Sequence, residues 1–197
     1  MDTVFQIIVL VMSVVVHEVS HGYAARALGD RTAEYAGRLT LNPIRHIDLW
    51  GSIIIPAILI FSHAGFVIGW AKPVPVNPHN LRNQRWGEAL VSAAGPASNI
   101  LLALIFGLAL RFNLVPLSAL PLVMAIVIIN LVLAVFNLVP IPPLDGSKIL
   151  FSVLPPRFWH IREALERYGL VLAIIFILFL WQFVSPAVEW LFRFIVG

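Results

Sequence analysis

The chain opens with an apolar run, Thr3 to Val16, that passes without interruption into His17-Glu18-Val19-Ser20-His21. The run has the composition and length of a membrane-crossing segment. In hydrocarbon every backbone amide needs a partner within the protein, so a lone segment of this kind folds as a helix. On a helix, residues four apart share a face, so His17 and His21 can grip one metal ion together. Glu18 lies about 100° further round, near enough to reach a water on that ion without ligating it. Two imidazoles and a carboxylate are costly at the end of such a run unless they bind something. The competing reading is chance or helix capping, and the apolar setting weighs against it.

The rest of the chain follows the same logic. Of its 197 residues, 60% are hydrophobic and 12% charged, about half the charged fraction of a soluble domain. Long unbroken apolar runs exclude the alternating pattern of an outer-membrane barrel. The expected fold class is therefore an all-α polytopic membrane protein of four to six transmembrane helices. Its net charge of +3 reads as a topology signal and not as a nucleic-acid footprint. The chain has no cysteine, so a metal must be held by His, Asp or Glu. Met1-Asp2-Thr3 lacks a basic leader start and no small-residue cleavage site follows, so the first run is expected to be mature protein.

Four spans are predicted: about Thr3 to Ala27, Trp86 to Leu110, Leu117 to Val139, and Leu170 to Ile195 with a possible interruption at Pro186. Leu49 to Trp70 is ambiguous, because Gly51, Pro56, Gly65 and Gly69 interrupt its apolar run. A simple crossing would put Arg26, Arg31, Arg38 and Arg45 on the face opposite Lys72, Arg82 and Arg85. A re-entrant hairpin puts all of them on one side, with Lys148, Arg157, Arg162 and Arg167, and leaves Arg111 alone on the other. The positive-inside rule favours the hairpin. The histidines then sit roughly 8–13 Å below the cytoplasmic surface.

Between the spans, Ala33 to Leu41 reads as a short β-ribbon near the site, closed by Asn42-Pro43. Its edge could pair with an extended peptide. Pro73, Pro75 and Pro78 forbid helix over Lys72 to Pro78. Ser147 to Arg167 reads as an interfacial helix broken at Pro155-Pro156. The whole, residues 1–197, is expected to be one domain, with a core over about 3–150 and an interfacial helix and last span over 147–197.

Zinc commonly takes a third protein ligand and leaves a fourth position for water. Asp145 is the best candidate, in Pro140-Ile141-Pro142-Pro143-Leu144-Asp145-Gly146 at the end of a long apolar run. It also reads as an N-cap for the segment beginning at Ser147, and the two roles are compatible. Asn99 and Asn137 lie within apolar spans. They read either as interhelical hydrogen-bonding residues or as groups that orient the site or stabilise an oxyanion. His46 follows the Asn-Pro turn and is a further candidate for supporting the site or binding substrate. No role is assigned to His63 or His79. Glu88 suits a helix N-terminus, and tryptophans near segment ends suit interface anchoring.

His17-Glu18-Val19-Ser20-His21, Gly95-Pro96-Ala97-Ser98-Asn99 and Leu144-Asp145-Gly146, in that order, resemble the site-2 protease family of intramembrane zinc metalloproteases, peptidase family M50. Asn42-Pro43-Ile44-Arg45-His46-Ile47-Asp48 and Gly69 to Asn77 resemble a compact bacterial subgroup. The resemblance spans about residues 13–150. It implies His17, His21 and Asp145 as ligands of one zinc ion per chain and Glu18 as general base. It also implies a multi-pass inner-membrane endopeptidase, its active site toward the cytoplasm, cutting in or near a transmembrane segment of a membrane-protein substrate. A metal-binding membrane protein or transporter without protease activity is the alternative. A haem carrier fits poorly, since haem takes histidines on opposite ring faces and His17 and His21 share one.

Overall fold

The computed structural model describes residues 3–62 and 69–197, without the side chains of residues 84, 85 and 156. His63 and the middle of the 49–70 segment therefore lie outside the described residues. The elements are all helical among those described. They are α1 (Thr3–Ala27), α2 (Thr32–Tyr35), α3 (Leu49–Phe61), α4 (Gln84–Arg111), α5 (Leu120–Asn137), α6 (Asp145–Val153), α7 (Trp159–Ile175) and α8 (Trp181–Val196). Four stretches are long and apolar enough to cross a bilayer: Thr3–Ala27, Trp86–Arg111, Leu117–Asn137 and Trp159–Val196. The chain is a multi-pass membrane protein.

α4 is the centre of the bundle and packs against α1, α5, α6 and α8. Ala103 and Leu110 of α4, Val127 and Leu131 of α5, and Val188 and Ile195 of α8 form its main buried cluster. Phe136, Phe176 and Trp181 extend it, with ring centroids 6.1–6.3 Å apart. A smaller cluster of Ala25, Leu81 and Val91 ties the end of α1 to the start of α4. Asn83 starts α4 by accepting from the Trp86 amide at 3.1 Å, a side-chain cap for an otherwise orphaned N–H.

Several expectations change. The β-ribbon is replaced by α2 and a turn. Gly37 has φ +63°, and the Arg38 amide donates to the Ala33 carbonyl at 2.9 Å, which is a glycine-terminated helix end. The proposed edge for peptide pairing goes with the ribbon. The last span runs straight through Pro186, and its irregularity lies earlier, in a π-helical turn at Phe176–Leu180. The break at Pro155-Pro156 falls where expected, between α6 and α7. Asp145 is the first residue of α6 and Leu144 occupies its N-cap position, so the capping role falls away.

The ends of the 49–70 segment meet. The Trp70 amide donates to the Gly51 carbonyl at 3.1 Å, and the Ser52 hydroxyl donates to the Trp70 carbonyl at 2.8 Å. The Lys72 amide donates to the His46 carbonyl at 2.9 Å. The chain beyond residue 70 thus returns to where α3 began and passes on, without helix, along α1.

Candidate metal centre

α1 presents His17 and His21 inward, 6% and 8% exposed, and α6 brings Asp145, 8% exposed, against them. Asp145 Oδ2 lies 3.1 Å from His17 Nε2 and 3.2 Å from His21 Nε2. The imidazole rings stand edge to face, centroids 4.7 Å apart. Each ring is oriented from α4. His21 Nδ1 lies 2.7 Å from the Val91 carbonyl, and His17 Nδ1 lies 2.6 Å from Asn99 Oδ1. A carbonyl oxygen only accepts, so each Nδ1 carries the proton, and in a neutral ring Nε2 then holds a lone pair. Two such lone pairs and a carboxylate oxygen converge with no proton among them. That arrangement requires a cation, either added protons or a metal ion.

The spacing fits zinc. Tetrahedral ligands at the usual Zn–N and Zn–O distances lie roughly 3.3 Å apart. The room is also present. A Cβ on Gly95 would fall 2.5 Å from His21 Nε2 and 2.6 Å from His17 Nε2, so the absent side chain leaves open the space beside both nitrogens. Gly146 lets α6 pack onto the end of α5, since a Cβ there would lie 2.2 Å from the Leu138 carbonyl oxygen. Its role is close approach and not a tight turn.

Glu18 is half-buried and its carboxylate belongs to the same group, the ligand atoms of His17, Glu18 and His21 all lying within 4.8 Å of one another. Its Oε2 accepts from the Val74 amide at 2.8 Å. Val74 lies in the non-helical stretch after residue 70, flanked by Pro73 and Pro75, which have no N–H to offer. Arg38 fixes that stretch. Its Nη2 donates to the Lys72 carbonyl at 2.7 Å and approaches that of Pro73 at 3.4 Å.

Of the other predicted residues, Asn99 reaches the histidines. His46 is 2% exposed but its Nε2 bonds to the Thr40 carbonyl at 2.8 Å, and its own carbonyl holds Lys72. It supports the loop and does not join the histidines. Asn137 donates to the Leu133 carbonyl of its own helix at 2.9 Å. Three contributors escaped the sequence reading. Asn130 is fully buried beside Asn99, and its position inside an apolar span was a signal of the same kind as Asn137. Arg38 is an arginine only 8% exposed, which no pattern announced. Asp30 is fully buried and accepts from the Asn77 amide at 2.7 Å, the Thr32 amide at 3.0 Å, the Asn80 side chain at 3.0 Å and the Thr32 hydroxyl. It ties the end of α1 to the residue-77 end of the Val74 stretch. Burial acts to raise the pKa of Asp30, and these donors more than offset it, leaving the carboxyl below its ordinary range.

Comparison with known proteins gives a consistent set of relatives. The family model described as Peptidase family M50 matches residues 5–117 and 112–181. YwhC of Bacillus subtilis (strain 168), provisionally named a zinc metalloprotease, is 42% identical over 191 residues, covering 92% of this chain and 81% of that protein. Rip2 of Mycolicibacterium smegmatis, named in the same way, is 30% identical over 189 residues, covering 92% and 68%. Zinc metalloprotease MJ0392 of Methanocaldococcus jannaschii is 25% identical over 174 residues, covering 87% and 41%. No solved structure matches.

Proposed function

This chain belongs to peptidase family M50, the relatives above being named as zinc metalloproteases, and from that premise we propose that it is an intramembrane zinc endopeptidase. Its substrate is a transmembrane or membrane-tethered protein, cut in or near the spanning segment. The observation that carries this reading is the approach of Asp145 Oδ2 to His17 Nε2 at 3.1 Å and to His21 Nε2 at 3.2 Å, with Glu18 alongside.

In this reading His17 Nε2, His21 Nε2 and Asp145 hold the zinc. Asp145 is preferred to Glu18 as third ligand because its oxygen is closer to both nitrogens and Glu18 is drawn aside by Val74. Bound zinc supplies Lewis-acid polarisation of a peptide carbonyl and a more acidic water. Glu18, anchored through Oε2, has Oε1 left to take a proton from water and return it to the leaving amine. Asn99 orients His17 from behind. His46 and Arg38 hold the stretch that presents Val74. Asn137 is assigned to its own helix end beside the Pro140 to Pro143 bend.

The topology proposed is the hairpin, in which residues 49–70 enter and leave on one side. The Trp70-to-Gly51 and Lys72-to-His46 bonds support it, and the basic residues flanking the segment favour the cytoplasm for that side. The host membrane is then the cell's inner membrane, with the metal reached from the cytoplasmic face. The test is co-expression of the parent and Glu18→Gln with single-span candidate substrates. A fragment made by the parent and absent with Glu18→Gln is expected, and identical fragments would contradict the assignment.

A further inference from the structure

Asn130 lies in the middle of α5, among Ile126, Ile128, Ile129 and Leu131, and is fully buried. A primary amide in such a place costs several kcal/mol unless its groups are paired. Its pairing runs in one direction. Asn130 Nδ2 donates to the Ile126 carbonyl at 2.9 Å and to the Ser13 hydroxyl at 3.0 Å. Both amide protons are thereby used. The Ile126 carbonyl can only accept, so Asn130 cannot be turned the other way without setting oxygen against oxygen. Asn130 Oδ1 therefore faces Asn99, where it accepts from Nδ2 at 2.8 Å, the shorter of that group's two bonds, the other reaching the Ser13 carbonyl at 3.4 Å. Asn99, also fully buried, is then obliged to offer Oδ1 to His17 Nδ1, 2.6 Å away.

We propose that Asn130 is a positioning residue that selects the tautomer of His17, acting through Asn99. A backbone carbonyl of α5 sets the orientation of one amide, that amide sets the next, and the second places the imidazole proton on Nδ1. Nε2 is left with its lone pair toward Asp145 and His21. Were Asn99 reversed, its NH₂ would face Nδ1, the proton would move to Nε2, and the ligand position would be blocked. His21 needs no such relay because the Val91 carbonyl meets its Nδ1 directly at 2.7 Å. The two histidines are thus fixed by different means, one by backbone and one by a chain of side chains crossing from α5 through α4 to α1. The inference rests on the zinc reading of the site.

The test measures zinc affinity of the purified full-length protein by chelator competition. Asn130→Leu removes the nearer acceptor of Asn99 Nδ2, leaving only the Ser13 carbonyl at 3.4 Å, and is expected to weaken zinc binding about tenfold or more, the usual scale for removing an outer partner of a ligating histidine. Asn130→Ser withdraws the side chain from Asn99 with less steric demand and is expected to lose as much. The double variant Asn99→Asp with Asn130→Leu offers oxygen to His17 whichever way the carboxylate turns, and is expected to return to within about threefold of the parent. Imidazole ¹⁵N spectra of the zinc-free protein, with His17 assigned by its absence in His17→Gln, are expected to move the His17 proton from Nδ1 toward Nε2 in Asn130→Leu. Parent-like zinc affinity in Asn130→Leu or Asn130→Ser would overturn the proposal. So would a double variant as weak as the single one, which would mean that Asn130 only packs. A parent that binds no zinc would instead remove the reading of the site itself.

Discussion

The carboxylate of Glu18 is held by the backbone of Val74, whose amide donates to Oε2 at 2.8 Å across 56 residues of sequence. The proposed base thus takes its position from a stretch with few amides to spare. Proline removes the N–H on either side of Val74, and Arg38 grips the Lys72 carbonyl just before it.

Val74→Pro should therefore slow cleavage and spare the metal. The substitution removes one charge-assisted hydrogen bond in a run already shaped by prolines. Such a bond is worth about 1.5–3 kcal/mol, so kcat on a tethered single-span substrate should fall roughly tenfold to a hundredfold. KM and zinc content should stay close to those of the parent. Loss of zinc together with activity would show that the stretch shapes the ligands and not the base.

Gly95→Ala should empty the site. The added methyl would lie 2.5–2.6 Å from both ligand nitrogens, well inside van der Waals contact, and α1 and α4 cannot separate there without opening their packed interface. Zinc content by elemental analysis should fall to background while the protein still extracts as a folded helical species. A variant with the parent's zinc content would mean that the cation lies elsewhere.

Asp30 gives the molecule a dependence on acid that its metal chemistry does not explain. Its folded pKa is lowered by the donors from Thr32, Asn77 and Asn80, against burial. A depressed carboxylate contributes stability that is complete above its unfolded pKa, about 3.9, and is lost as pH falls through the folded value. Asp30→Asn should melt earlier than the parent at pH 7, by about 1–3 kcal/mol. That gap should narrow below about pH 4. Thermal unfolding of both proteins, zinc-free, from pH 7 to pH 3 checks this. A gap that stays constant with pH would contradict it.

Much of this arrangement could be read from the residue order, and the reasons for the misses are physical. His17, Glu18 and His21 announce themselves because their spacing matches the helix and their polarity violates its surroundings. Asp145 is visible for the same reason, yet its place at the first position of α6 and not at the cap depends on how Leu144 leaves the proline bend. Residues 33–41 alternate well enough to suggest a strand. The left-handed Gly37 and the buried Asp30 decide otherwise, and only the fold supplies the donors around Asp30. Asn130 and Asn137 look alike in sequence. One meets a neighbouring helix and the other its own, a difference set by the rotation of α5 against α4. Arg38 could not be singled out, since the carbonyls it serves lie beyond the 49–70 segment.

In the proposed site His17, His21 and Asp145 hold a zinc ion on which Glu18 acts without ligating it. Zinc per chain, measured on the purified parent, Glu18→Gln and Asp145→Ala, tests it most directly. About one ion is expected in the parent and in Glu18→Gln and a small fraction of that in Asp145→Ala. The reverse order, with metal kept by Asp145→Ala and lost from Glu18→Gln, would make Glu18 the third ligand and contradict the assignment of Asp145 as ligand and Glu18 as base.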